Sequence, residues 1–259
     1  MNSIKKNWFG TLLILFGGIM LFFLTYPLFK MFVNNEVKTL LSTIQEADVS
    51  NAIILTMKVS LWATLFALIT GLPLAYIIAR FDFYGKSIVE AFIDIPIMIP
   101  HTAAGIALMM AFNRGSMGDF FDSIGITFVG TEEGIMIAMM FLSATFLING
   151  AKEGFKKVDV KLEKVARTLG ANPLQVFFAI SIPNAKKDII NGCLMMWGRG
   201  LGEFGAVVIL VYHPMTAPVL IYDRFTSFGL SYSAPVAALM IILSIFVFLF
   251  VRFINNKLR

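Results

Sequence analysis

The sequence predicts an all-α integral membrane protein with six transmembrane helices and both termini in the cytoplasm. Three observations carry this expectation. The 259 residues are 58% hydrophobic and only 14% charged, with a mean hydropathy of +0.82. A soluble domain of this length would need about twice that charge on its surface. Several apolar runs are long enough to cross a bilayer, which takes roughly 20 residues at 1.5 Å rise each. The basic residues gather in alternate connecting segments, as membrane orientation requires.

The six spans are read at roughly 9–33, 52–79, 88–112, 133–151, 190–212 and 233–254. The first follows the basic start MNSIKKNW and runs apolar to Val33. That is too long for a cleaved signal peptide and lacks a small-residue cleavage site, so it reads as a retained span. Orientation comes from the segments between spans. The N-terminal tail holds Lys5 and Lys6, and the C-terminal tail holds Arg252, Lys257 and Arg259. The first loop has Lys38 against Glu36, Glu46 and Asp48, net −2. The second has Arg80 and Lys86 against Asp82, net +1. The third has Arg114 against Asp119, Asp122, Glu132 and Glu133, net −3. The loop 152–188 has eight basic and four acidic residues, net +4. All basic segments fall on one side, which is therefore cytoplasmic. The whole chain, 1–259, reads as one membrane domain with a cytoplasmic loop at about 152–188.

The net charge of +5 and pI near 9.3 are explained by these loops, so nucleic acid is not an expected partner. One cysteine, Cys193, lies in an apolar segment and excludes a disulfide or thiolate metal site. No catalytic residue, metal site or bound cofactor is expected of this chain. Two fragments imitate nucleotide motifs. Gly85-Lys86-Ser87 resembles the end of a phosphate loop, but its first glycine position holds Arg80 and no strand precedes it. Gly200-Leu201-Gly202-Glu203-Phe204-Gly205 fits G-x-G-x-x-G but lies in an apolar segment without a βαβ unit. Close helix packing and a tolerated break use these glycines better.

The loop carries the most information. Asp159 is an expected N-cap, helical residues follow to Leu169, and Gly170 is a natural C′ stop with positive φ. Asn172 caps again with Pro173 at the first helical position, and a second short helix runs to about Ile182, where Pro183 is expected to break it. Leu162, Val165, Ala166 and Leu169 form an apolar stripe. Two readings fit that stripe: a surface helix packed on the membrane domain, or a docking site for another protein.

Two further constellations lie inside the spans. Pro96 and Pro100, four residues apart, should break the third span, and a half-helix starting at Pro100 would present free amides near His101 and Thr102. A packing kink is the competing reading. In the fifth span Arg199 and Glu203 share one face. Ionisable groups at this depth face a protein interior or a cavity. They fit either a buried pair that fixes packing or the lining of a gate.

On these residues the chain resembles the permease subunits of ABC importers. Ala166, Gly170, Ile180 and Pro183 match the EAA-loop pattern of Glu-Ala-Ala, three residues, Gly, nine residues, Ile-x-Leu-Pro. The chain departs at Lys164, where the family has Glu, and at Val165, where it has Ala. Glu163 lies one position earlier, about 100° around the helix, and is not expected to replace the missing acid. Pro100-His101-Thr102-Ala-Ala-Gly105, Arg199-Gly-Leu-Gly-Glu203-Phe-Gly-Ala206 and Tyr212-His-Pro-Met-Thr-Ala-Pro-Val-Leu-Ile-Tyr222 look like the oxyanion branch, and most like archaeal molybdate/tungstate permeases.

The resemblance implies a type I importer architecture in the cell membrane and a homodimer. Two ABC ATPase subunits would carry ATP and magnesium, and an extracellular or periplasmic oxyanion-binding protein would deliver substrate. It implies that Glu163, Lys164, Ala166, Gly170, Ala171, Asn172, Pro173, Ile180 and Pro183 belong to the loop that couples to the ATPase. A translocation path or gate would draw on Pro100, His101, Thr102, Arg199 and Glu203. A sulfate or thiosulfate permease is the neighbouring alternative. A stand-alone secondary anion carrier is the distant one: it would need coupling-ion sites and usually internal repeats, neither of which is evident, and has no use for the 152–188 loop. Outer loops of net −2 and −3 would repel a dianion, although salt screens this beyond about 8 Å. Delivery by a docked binding protein fits them better than capture from solution.

Overall fold

The computed structural model describes residues 8–257, and among these every regular element is helical. The lysines at positions 5 and 6 and Arg259, which entered the orientation argument, lie outside the described residues. Four helices are long and apolar enough to cross a membrane: α1 (Trp8–Val33), α3 (Ala47–Arg80), α7 (Glu132–Lys157) and α13 (Leu230–Lys257). A fifth candidate is the pair α4 (Lys86–Met98) and α5 (His101–Phe112), bent by 115° between its halves. Short helices α2 (Val37–Gln45) and α6 (Met117–Ser123) lie in the first and third loops.

The expected 190–212 span does not appear as one continuous apolar helix. It is divided between α10 (Ile182–Leu201) and α11 (Gly205–Leu210), with a break at 202–204. Polar residues at both ends of α10, Lys186, Lys187 and Asp188 at one and Arg199 at the other, keep it below the hydropathy of a span. Helix α12 (Ala217–Phe228) then leads into α13.

The core is built where α3, α7 and α10 cross. Leu55, Val59, Ala63 and Ala67 of α3 pack against Ile135, Ala138, Met139 and Leu142 of α7 and Met196 of α10. Helices α7 and α10 approach closely because glycine faces glycine. A Cβ on Gly150 would lie 2.9 Å from the Cα of Gly192, nearer than real Cβ contacts allow. Such small-residue contacts let dispersion hold helices together where lipid offers no hydrophobic drive. A second cluster of Leu72, Ala75, Ile148, Ala151, Phe155 and Ala185 continues the packing toward the 152–188 loop. At the opposite end of α3, Val49 and Ala52 pack on Leu220, Val236 and Met240. Helix α1 stands apart: its apolar side chains are exposed along the length, with only Gly10 buried.

Two proline expectations need correction. Pro183 does not break the loop's second helix. That helix, α9 (Pro173–Val176), widens into one π-helical turn over Phe177–Ser181 and passes directly into α10. Pro183 then falls in the first turn of α10, directly after the wide turn, which absorbs an extra residue. Pro96 likewise stays inside α4, buried. The break belongs to Ile99 and Pro100 alone.

Candidate functional site: an outward-facing loop helix and a buried polar trio

Helix α8 (Val160–Thr168) opens the loop. Asp159 caps it by accepting from the Lys161 amide at 2.9 Å. Gly170 ends it with φ +93°. The amide of Gly170 donates to the Arg167 carbonyl and that of Ala171 to the Ala166 carbonyl, each at 3.0 Å, which closes a Schellman turn. Asn172 and Gln175 exchange side-chain and backbone bonds in a capping box, with Pro173 at the first helical position.

The face that α8 turns outward bears on the two readings of its stripe. Leu162, Val165 and Leu169 are all exposed, Leu169 to 83%, and Leu174 and Phe178 extend the exposed apolar surface past the turn. The helix is not packed on the membrane body by its apolar side. Its buried residue is Glu163. Glu163 points inward, and Lys164, at the family's glutamate position, points out. Glu163 Oε1 accepts from Arg80 Nε at 2.9 Å and from Ser181 Oγ at 2.7 Å. Tyr76 Oη donates to Oε2 at 3.3 Å, and Arg80 Nη2 also donates to the Val158 carbonyl at 3.0 Å. Among the other loop positions, Ala166, Ala171 and Ile180 are half-buried, while Asn172, Pro173 and Pro183 are exposed.

Inside the bundle the two predicted constellations meet. Pro100 is the N-cap residue of α5, whose first intrahelical bond runs from the Ala104 amide to the Pro100 carbonyl. The amides of residues 101–103 therefore lie ahead of the helical ladder. His101 Nδ1 lies 3.1 Å from Glu203 Oε1. A carboxylate only accepts, so Nδ1 carries the hydrogen. Arg199 Nη1 donates to Glu203 Oε2 at 3.1 Å. Arg199 Nη2 is 3.2 and 3.0 Å from the two ring nitrogens of His101. A nitrogen in the ring plane at those distances would strike ring carbon, so the guanidinium lies over the imidazole face. Glu203 is fully buried and also accepts from the Ala206 amide at 3.2 Å, capping α11. Arg199 and His101 keep about a third of their side chains exposed. Gly205 permits the meeting: a Cβ there would come within 2.7 Å of the His101 Cβ. Thr102 is exposed at the start of α5 and stays outside the trio.

At the far end of α3, Arg224 of α12 bonds Glu46 at 2.5 Å and Asp48 at 2.7 Å. Burial pulls the Arg224 pKa down, but the hydrogen bonds it donates to Asp48 and Glu46 outweigh it and hold the pKa above its ordinary value. A cavity of about 570 Å³ opens beside this clamp, lined by Asp48, Lys58, Glu132, His213 and Asp223 among others. Among the described residues no group of three or more His, Cys, Asp or Glu side chains could hold a metal ion.

Sequence reasoning missed Arg80, Ser181 and Tyr76. Arg80 counted only as loop charge. Its position at the end of an apolar span, within reach of a loop carrying Glu163, was the available signal, but pairing across more than 80 residues has no local pattern.

The chain is similar to known proteins in sequence and in fold. The chain is 37% identical over 245 residues to the molybdate/tungstate transport system permease protein WtpB of Pyrococcus abyssi, covering 94% of each. It is 30% identical over 208 residues to a probable sulfate transport system permease protein of Chlorokybus atmophyticus, covering 78% of this chain and 73% of that one. The fold superposes on a bacterial ABC transporter involved in import of the acidic polysaccharide alginate with a TM-score of 0.76 at 18% identity, over 98% of this chain and 97% of that one. Residues 71–259 match the family model described as the inner membrane component of binding-protein-dependent transport systems, and the chain is a multi-pass membrane protein belonging to that family.

Proposed function

We propose that this chain is the permease subunit of an ABC importer that carries molybdate and tungstate into the cytoplasm. In this reading the α4–α5 pair and the α10–α11 pair each complete a crossing, giving six with both termini cytoplasmic. Two copies form the path, and two separate ATPase subunits bind ATP and magnesium. A binding protein outside the membrane delivers the oxyanion. The observation that carries the reading is the outward apolar stripe of α8, Leu162, Val165 and Leu169. A cytoplasmic helix that buries its acid and exposes its leucines is built to be covered by a partner, since exposed apolar patches mark interaction sites. Molybdate and tungstate are favoured over sulfate because the identity to relatives named for the former is 37%, against 30% for the latter.

Within this reading α8 and the turn at Gly170 to Pro173 are the coupling element. The trio of His101, Arg199 and Glu203 lies at the gate, where two broken helices meet and can rearrange without unwinding a continuous span. The arginine is already neutralised by Glu203, so the trio suits a gate better than a resting anion site. Co-purification tests the docking half. The ATPase subunit should be retained by the intact chain and lost with Val165→Glu and Leu169→Glu together. Retention by the double variant refutes docking through this stripe. Uptake with the cognate binding protein, challenged by competing oxyanions, tests the substrate half. Molybdate and tungstate should compete with one another, and competition by sulfate at equal concentration would reassign the substrate.

A further inference from the structure

We propose that Glu163, Arg80 and Ser181 form the mechanical joint that carries motion from the cytoplasmic loop into the membrane-embedded helices. The inference rests on the reading that α8 docks on an ATPase subunit, and adds the residues through which docking is felt.

The joint is visible in how α8 is attached. Its apolar side chains face out, so hydrophobic packing does not hold it to the body. Its buried side chain is the Glu163 carboxylate. The side chains of Arg80 and Glu163 are only 7% and 6% exposed. The bonds to Glu163 come from two different elements: Arg80 and Tyr76 on α3, and Ser181 at the end of the π turn that leads into α10. Arg80 also binds the Val158 carbonyl at the end of α7. Tyr76 is backed by rings, edge-on to Phe81, Phe155 and Phe177.

The physical consequence follows from directionality. An apolar contact tolerates sliding, because its energy follows area. Hydrogen bonds weaken steeply with distance and angle, and a charged pair cut off from water is costly to part. A displacement of α8 is therefore passed to α3 through Arg80 and to α10 through Ser181. Helix α10 runs from that serine to Arg199, the cation of the trio. One carboxylate thus ties the docking face to the helix that ends at the gate.

The test uses the full complex, permease with ATPase subunits and binding protein, in proteoliposomes. It reads three quantities: co-purified ATPase, ATP hydrolysis, and uptake per ATP hydrolysed. Glu163→Gln and Arg80→Gln leave the outward stripe intact. Both should keep the ATPase bound and hydrolysing, while uptake per ATP falls about ten-fold or more, the scale of losing one charged hydrogen bond. Ser181→Ala should give a smaller fall in the same direction. A ratio equal to wild type in both charge-removing variants overturns the joint. If either fails to assemble, Ser181→Ala decides, since it strands no buried charge: a wild-type ratio there overturns the proposal, and a reduced ratio with the ATPase bound supports it. Loss of the ATPase from the unmodified chain would instead refute the docking reading on which the joint rests.

Discussion

Glu203 is the residue on which the interior of this protein turns. It is fully buried, and its two oxygens receive Arg199, His101 and the Ala206 amide. Each bond answers part of the cost of holding a charge away from water. Removing one member exposes that cost. Arg199→Met should destabilise the detergent-solubilised protein by about 3 kcal/mol or more, because the carboxylate stays buried with a weaker set of donors. Glu203→Gln should cost less, since the amide can still accept. The double variant should cost less than the sum of the two, as expected for groups in contact. Thermal unfolding of the four proteins measures this. Additive losses would mean that the pair is not energetically linked. The sequence offered Arg199 and Glu203 as a pair through their i, i+4 spacing. The family resemblance assigned His101 to the same path, but its contact with Glu203 was not legible, because it depends on two helix breaks bringing α5 against α11.

At the scale of elements, the breaks were more legible than the spans. Pro100 announced the end of α4, and Gly170, Asn172 and Pro173 announced the turn after α8, because each acts through its own backbone: a missing amide hydrogen, a left-handed φ, a side-chain cap. The fate of Pro183 was not legible, since the π turn beside it has no local sequence signal and its Ser181 bonds Glu163, 18 residues away. Nor was the inward turn of Glu163, which a partner on α3 decides. The bend at Pro100 gives a test at this scale. Proline disfavours a continuous helix by about 3 kcal/mol. In Pro100→Ala the new amide can reach the Pro96 carbonyl, which straightens the α4–α5 pair and draws the amides of 101–103 into the ladder. We expect the variant to insert in the membrane at normal levels and to lose at least about nine-tenths of uptake, which is roughly 1.4 kcal/mol of barrier. Uptake at the wild-type rate would reduce the bend to a packing feature.

At the scale of the whole molecule, two surfaces look unfinished in a single chain. Helix α1 presents apolar side chains on every side, which suits lipid or a second copy. Helix α8 presents them outside any predicted span, which suits neither. The bundle that carries them has a glycine-to-glycine crossing of α7 on α10 and helices broken at Pro100 and at 202–204. In the proposed function this bundle moves an oxyanion only when a separate ATPase, seated on α8, hydrolyses ATP. The most direct measurement is uptake of labelled tungstate into proteoliposomes holding the permease, its ATPase subunit and its binding protein. ATP should drive uptake, and omission of the ATPase or the binding protein should abolish it, with unlabelled molybdate competing. Uptake by the permease alone, at a rate unaffected by ATP or by the ATPase, would contradict an ATP-driven importer.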